Sequence, residues 1–157
     1  MEVALILTGV LLMSRIYTEY LTRARDELCE FHEFLEKMNL RVLAYLDTDM
    51  DFVEGEDFKA LRRVGFIDGV LADEGLFDSY VKCMPRLSIS KSDKTLLYEF
   101  FKEYGRGDMN IEVKRAERII GALFDRLGVV NSEIKKKVKV FTSVTLAVCL
   151  GVVILII

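Results

Sequence analysis

The residues in this sequence best suited to chemistry are few and far apart. His32 is the only histidine in the 157-residue chain, and it borders the apolar stripe of a predicted helix. A lone imidazole there is expected to be structural rather than a base or a ligand. Cys29, Cys83 and Cys149 are odd in number and widely spaced, and Cys149 lies in an apolar run where a thiol behaves as a small hydrophobe. That pattern fits a reducing compartment and no zinc site. Asp47, Asp49 and Asp51 open an acidic stretch that reaches Asp57 and could begin a calcium loop. Such a loop needs Gly at its sixth position and Glu at its twelfth, where this chain has Phe52 and Phe58. No nucleophile elbow, phosphate-cradling glycine loop, paired histidine or glycosidase-like carboxylate pair is present. The expectation is a protein that is not an enzyme, with no catalytic residue, no cofactor, no metal and no small-molecule substrate.

The elements around these residues are read from composition first. Apolar residues make up 52% of the chain and charged residues 30%, with one proline (Pro85) and no tryptophan, which favours helix over a sandwich of short strands. The net charge of -3 gives no concentrated positive field, so a nucleic-acid partner is not expected.

The apolar excess sits at the ends. Val140 to Ile157 contains no charged residue, and a helix of that length covers roughly 27 Å, near the hydrocarbon thickness of a bilayer. Lys135, Lys136, Lys137 and Lys139 precede it, and by the positive-inside rule they stay on the cytosolic side, where they also attract anionic lipid heads. Val3 to Met13 is a shorter apolar run followed by Arg15, Arg23 and Arg25, without a small-residue cleavage motif. With Arg15 snorkelling, it is read as a second membrane segment, its N-terminus outside.

Between the ends, Leu21, Ala24, Leu28, Phe31, Leu35, Met38, Val42 and Tyr45 step alternately by three and four, predicting a long helix from Tyr17 with one apolar seam. Ala116, Ile120, Leu123, Leu127, Val130 and Ile134 repeat the pattern and lead into the lysines. A shorter helix is predicted around Phe58, Leu61 and Val64 to Leu71, and another element at Leu76 to Val81 that ends by Pro85. A further helix carries Leu96, Leu97, Phe100, Phe101 and Tyr104, with Ser92 as its N-cap and Asp93 in its first turn. Gly105 to Asp108 is predicted to reverse the chain, with Asp108 capping the next helix. The Arg106, Gly107, Asp108 triplet matches an adhesion string, a coincidence for a cytosolic segment.

The run from Leu96 to Asp108, the long helix after it, the basic patch and the aliphatic end together resemble the stage III sporulation protein AB family. That family's turn reads Leu-Gly, two residues, Asp, then Gln; here it reads Tyr104, Gly105, Arg106, Gly107, Asp108, with Glu112 at the Gln place. The tail from Gly151 to Ile157 is similar to the family's terminal Val-Ile-Leu-Leu. The likeness covers about sixty residues plus the layout of the N-terminal segment. It implies a six-helix cytosolic bundle similar to the F-type platform proteins of type II secretion. It also implies a non-catalytic role in the mother-cell membrane of a spore former, within the channel complex to the forespore, where a cytosolic secretion-type ATPase and other channel proteins are the partners. Gly105, Asp108 and Glu112 take only a structural or docking role from it.

The reading is therefore an all-α chain, an antiparallel helical bundle on the cytosolic side flanked by an N-terminal apolar segment and a C-terminal transmembrane helix. Its segments are 1–14 as membrane segment, 15–139 as bundle and 140–157 as transmembrane helix. A second design fits the same pattern: a tail-anchored regulator whose bundle binds amphipathic partner helices in a groove. It differs in having Val3 to Met13 out of the membrane.

Overall fold

In the computed structural model the backbone is described for residues 2–43, 51–54 and 57–156, and within these all side chains but those of 2–7, 10, 11, 51, 52, 149 and 152–156. The elements, in chain order, are α1 (Glu2–Leu43), α2 (Asp51–Glu54), α3 (Lys59–Val64), α4 (Phe66–Leu71), α5 (Leu76–Cys83), a 3-10 turn (Met84–Arg86), α6 (Lys91–Glu103) and α7 (Met109–Ile156). There is no strand among the described residues, and the expected all-α class holds.

The two long helices run unbroken through the apolar ends, as expected, whereas other boundaries differ. The N-terminal apolar run and the long helix after it form one uninterrupted α1, because no helix breaker separates Met13 from Tyr17. Gly128 and Asn131 likewise lie inside α7, whose turns on either side carry good helix formers. The predicted helix from Phe58 to Leu71 is two short ones, since Gly65 adopts a φ of +85° and closes α3 with a left-handed turn. The cap of α6 is Ser90, not Ser92. Its Oγ accepts from the Asp93 backbone N–H at 3.2 Å and donates to Asp93 Oδ2 at 2.6 Å, a side-chain cap two residues earlier than expected.

The chain divides into two units, Met1–Thr22 with Gly128–Ile157, and Arg23–Leu127. The second unit holds the core. Phe31 lies at its centre, with ring centroids 5.2 Å from Phe66, 5.9 Å from Tyr80 and 6.3 Å from Phe101. Phe34 adds contacts to Phe58 and Phe66 in edge-on geometry, the arrangement favoured by ring quadrupoles. Of the predicted seams, Leu28, Phe31, Leu35, Met38, Ala116 and Leu123 are buried. The buried face of α1 is wider than the seam, however, since it also takes in Glu27, Phe34 and Asn39.

In the first unit, none of the described side chains is buried. Tyr17 and Phe141 stack there at a centroid distance of 4.8 Å. Among the described residues no helix is long and apolar enough to cross a membrane. The expected transmembrane helix is therefore not carried by the described residues; Cys149 and 152–157, and 3–7 with 10 and 11 of the N-terminal run, have side chains outside them. The expected acidic loop at Asp47 and Asp49 also lies outside the described residues.

Candidate functional site

The turn predicted at Gly105 to Glu112 is a closed network within the second unit. At its start the Tyr104 N–H donates to Phe100 O at 2.9 Å, ending α6, and Gly105 then takes a φ of +80° that a side chain would disfavour. Asp108 opens α7 through its backbone: its carbonyl accepts from Ile111 N at 2.9 Å and Glu112 N at 3.0 Å. Glu112 reaches backward from the first turn of α7, and its Oε1 accepts from the Gly107 N–H at 2.8 Å. The structure thus brings Gly105, Asp108 and Glu112, the three residues taken from the resemblance, into one turn.

Arg115 fastens this turn to the helix before it. Its Nη1 donates to Glu112 Oε1 and to the Glu103 carbonyl, both at 2.9 Å, and Nη2 lies 3.3 Å from Glu103 Oε2. A Cβ at position 107 would stand 2.9 Å from Glu112 Oε1, so Gly107 is needed for the close approach. Glu112 Oε2 is buried without a hydrogen-bond partner. Burial, and then the negative charge of Glu112, raise the Tyr104 phenol above its ordinary pKa. The arrangement holds a corner rigid; no nucleophile and base face one another in it.

Two carboxylates that the seam analysis passed over, Glu27 buried and Glu30 half-buried, organise the rest of the unit. Glu27, on α1, is 1% exposed, and its Oε2 accepts from the backbone of Ser88 at 2.6 Å and Ile89 at 3.3 Å. Arg63 Nη2 stands 3.4 Å from its Oε1. One turn along, Glu30 accepts from the N–H groups of Ala60 at 2.9 Å and Leu61 at 2.8 Å. These are the first amides of α3, whose own N-cap, Phe58, offers no side-chain acceptor. The sequence signal was available: acids three apart on the side of α1 that also carries Leu28 and Phe31.

A third ion pair joins α6 to α7. Arg126 Nε donates to Asp93 Oδ1 at 2.8 Å and its Nη2 to Oδ2 at 3.3 Å, with Asp93 only 3% exposed. His32 Nδ1 is 3.6 Å from Glu36 Oε2, and its ring is 6.1 Å from that of Phe124. Among the described residues no group of three or more His, Cys, Asp or Glu could hold a metal ion.

The basic flank lies in the first unit. Lys135, Lys136, Lys137 and Lys139 are all exposed, and among the described residues their one ion pair is Lys137 with Glu133 at 3.8 Å. Arg15 pairs with Glu19 at 3.3 Å, both well exposed. The first unit carries five basic and three acidic residues, a net +2, and the second 17 and 22, a net -5, so the unit with the apolar ends is the one of net positive charge. Compared with known proteins, the chain matches no family model, no curated protein and no solved structure.

Proposed function

We propose that the chain is a non-catalytic, membrane-anchored assembly subunit. Its apolar ends enter the bilayer and keep the compact helical unit Arg23–Leu127 at the cytosolic face. The setting drawn from the resemblance is the channel complex between mother cell and forespore in a sporulating bacterium, with a cytosolic secretion-type ATPase and other channel proteins as docking partners.

One observation carries the anchored reading: the first unit has no buried side chain among the described residues, yet it is rich in apolar ones. Val140 is 65% exposed, Leu146 63%, Leu150 56%, Met13 68% and Ile16 61%. Apolar surface this continuous is unfavourable in water by about 25 cal/mol per Å2, and lipid removes that cost. Two hydroxyls of the segment are matched internally: Thr142 Oγ1 donates to Val138 O at 2.8 Å and Ser143 Oγ to Lys139 O at 2.9 Å. Neither needs water to satisfy its donor. The exposed lysines directly before Val140 supply the flank that fixes orientation.

The test is fractionation of cells that make the full chain. The protein is expected in the membrane pellet and to resist alkaline carbonate extraction. Replacing Lys135, Lys136, Lys137 and Lys139 together with Glu should shift a large share to the soluble fraction or invert its orientation. A wild-type chain that is monodisperse in buffer without detergent overturns the anchored reading. On a cysteine-free background, Glu2→Cys should react with an impermeant maleimide from outside; reaction only from inside favours the tail-anchored regulator.

A further inference from the structure

The first unit contains a groove of about 300 Å3 lined by Tyr17, Lys136, Lys137, Val140, Phe141 and Val144. Its residues are ordered by polarity along the helix axis. Lys136, Val140 and Val144 follow one another at intervals of four on one face of α7, covering about 12 Å from charge to aliphatic surface. Lys137 and Phe141 repeat the same order alongside, and Tyr17 of α1 closes the apolar part against Phe141, centroids 4.8 Å apart. A ligand matched to this groove has an anionic end and a hydrocarbon end.

The charge at the basic end is open to such a ligand. Lys136 has no ion pair among the described residues, and Lys137 has only Glu133 at the long distance of 3.8 Å. Arg15, the other cation of α1 in this unit, is already engaged by Glu19. The volume is at the lower end of the range for ligand clefts and suits one acyl chain rather than a folded partner.

We propose that this groove holds one anionic phospholipid, its phosphate between Lys136 and Lys137 and one acyl chain against Tyr17, Val140, Phe141 and Val144. The inference rests on the membrane-anchored reading and goes further by naming a lipid class and its seat. Bound there, the lipid joins the two helical segments of the unit where they lack a core of their own.

The experiment uses the full chain in detergent micelles. Native mass spectrometry counts retained lipid as phosphatidylglycerol, phosphatidylcholine or inorganic phosphate is added. One phosphatidylglycerol per chain is expected, preferred over phosphatidylcholine by about tenfold. Lys136→Gln with Lys137→Gln should abolish the preference, whereas Lys135→Gln with Lys139→Gln, outside the groove, should keep it. Equal retention of both lipids overturns the proposal, as does unchanged preference in the Lys136/Lys137 variant or displacement by inorganic phosphate at comparable concentration. Flotation with vesicles separates this from the anchored reading: a chain that floats with phosphatidylcholine vesicles but shows no lipid preference loses only the lipid seat. A chain that floats with no vesicle loses both.

Discussion

Tyr80 and Cys83 show how far the interior of the Arg23–Leu127 unit is withdrawn from water. The Tyr80 hydroxyl donates to Lys94 O at 2.8 Å, and burial raises its pKa well above the ordinary phenol value. Burial likewise pushes the Cys83 thiol from about 9 up to about 12. Both groups are neutral when protonated, so the folded chain holds protons that the unfolded chain releases from about pH 9 upward. Stability is therefore complete below that pH and falls as pH rises toward about 12. Urea unfolding at pH 8, 10 and 11 should show a progressive loss, and Cys83→Ala should flatten its early part. A midpoint unchanged to pH 11 would contradict the burial argument. Tyr80 falls within the element predicted at Leu76 to Val81, but an element so short carries too little periodicity to show that Tyr80 and Cys83 face the interior. Glu112 was singled out only through the family resemblance; its contact with the Gly107 N–H depends on the conformation of the turn.

Among the elements, α1 positions most of the second unit, and it does so with carboxylates as well as with its apolar seam. Glu30 caps α3 from outside that helix, and Glu27 satisfies the extended backbone at Ser88 and Ile89. Short helices such as α3, with six residues, have little cooperativity of their own, so these external acceptors decide where they begin. Glu30→Ala should cost about 1 kcal/mol, the ordinary worth of an N-cap. Glu27→Ala should cost about 3 kcal/mol, because it leaves buried amides unpaired and removes the partner of Arg63. Chemical denaturation of the two variants checks the order; a cost at Glu30 exceeding that at Glu27 would overturn it. The helices themselves were legible where the three-four spacing was long, in α1 and α7. The division at Gly65 and the cap at Ser90 were not, because each depends on tertiary partners: Gly65 on the packing that turns α4 against α5, Ser90 on Arg126 drawing Asp93 into the interior.

The whole molecule distributes its apolar residues in two ways. Every buried hydrophobic side chain among the described residues, from Leu28 to Leu123, belongs to the Arg23–Leu127 unit, whereas the other unit leaves its apolar residues exposed. One part thus satisfies the hydrophobic effect internally, and the other leaves its described apolar side chains uncovered. Composition alone pointed to a limit at Val140, where charge stops, whereas the compact unit ends at Leu127, inside α7. Composition could not place the other limit at Thr22, since α1 crosses that position without any change of helical pattern. The consequence is that residues 23–127, made alone, should remain helical and unfold in one cooperative transition in buffer without detergent. The m-value in urea should be about 1 to 2 kcal/mol/M, as for other small domains. The same fragment should fail to float with vesicles that retain the full chain. Circular dichroism with urea titration, followed by flotation, measures both. A fragment that is molten without the apolar ends would mean that its core depends on them, and one that still floats would place the membrane-binding surface on the compact unit instead.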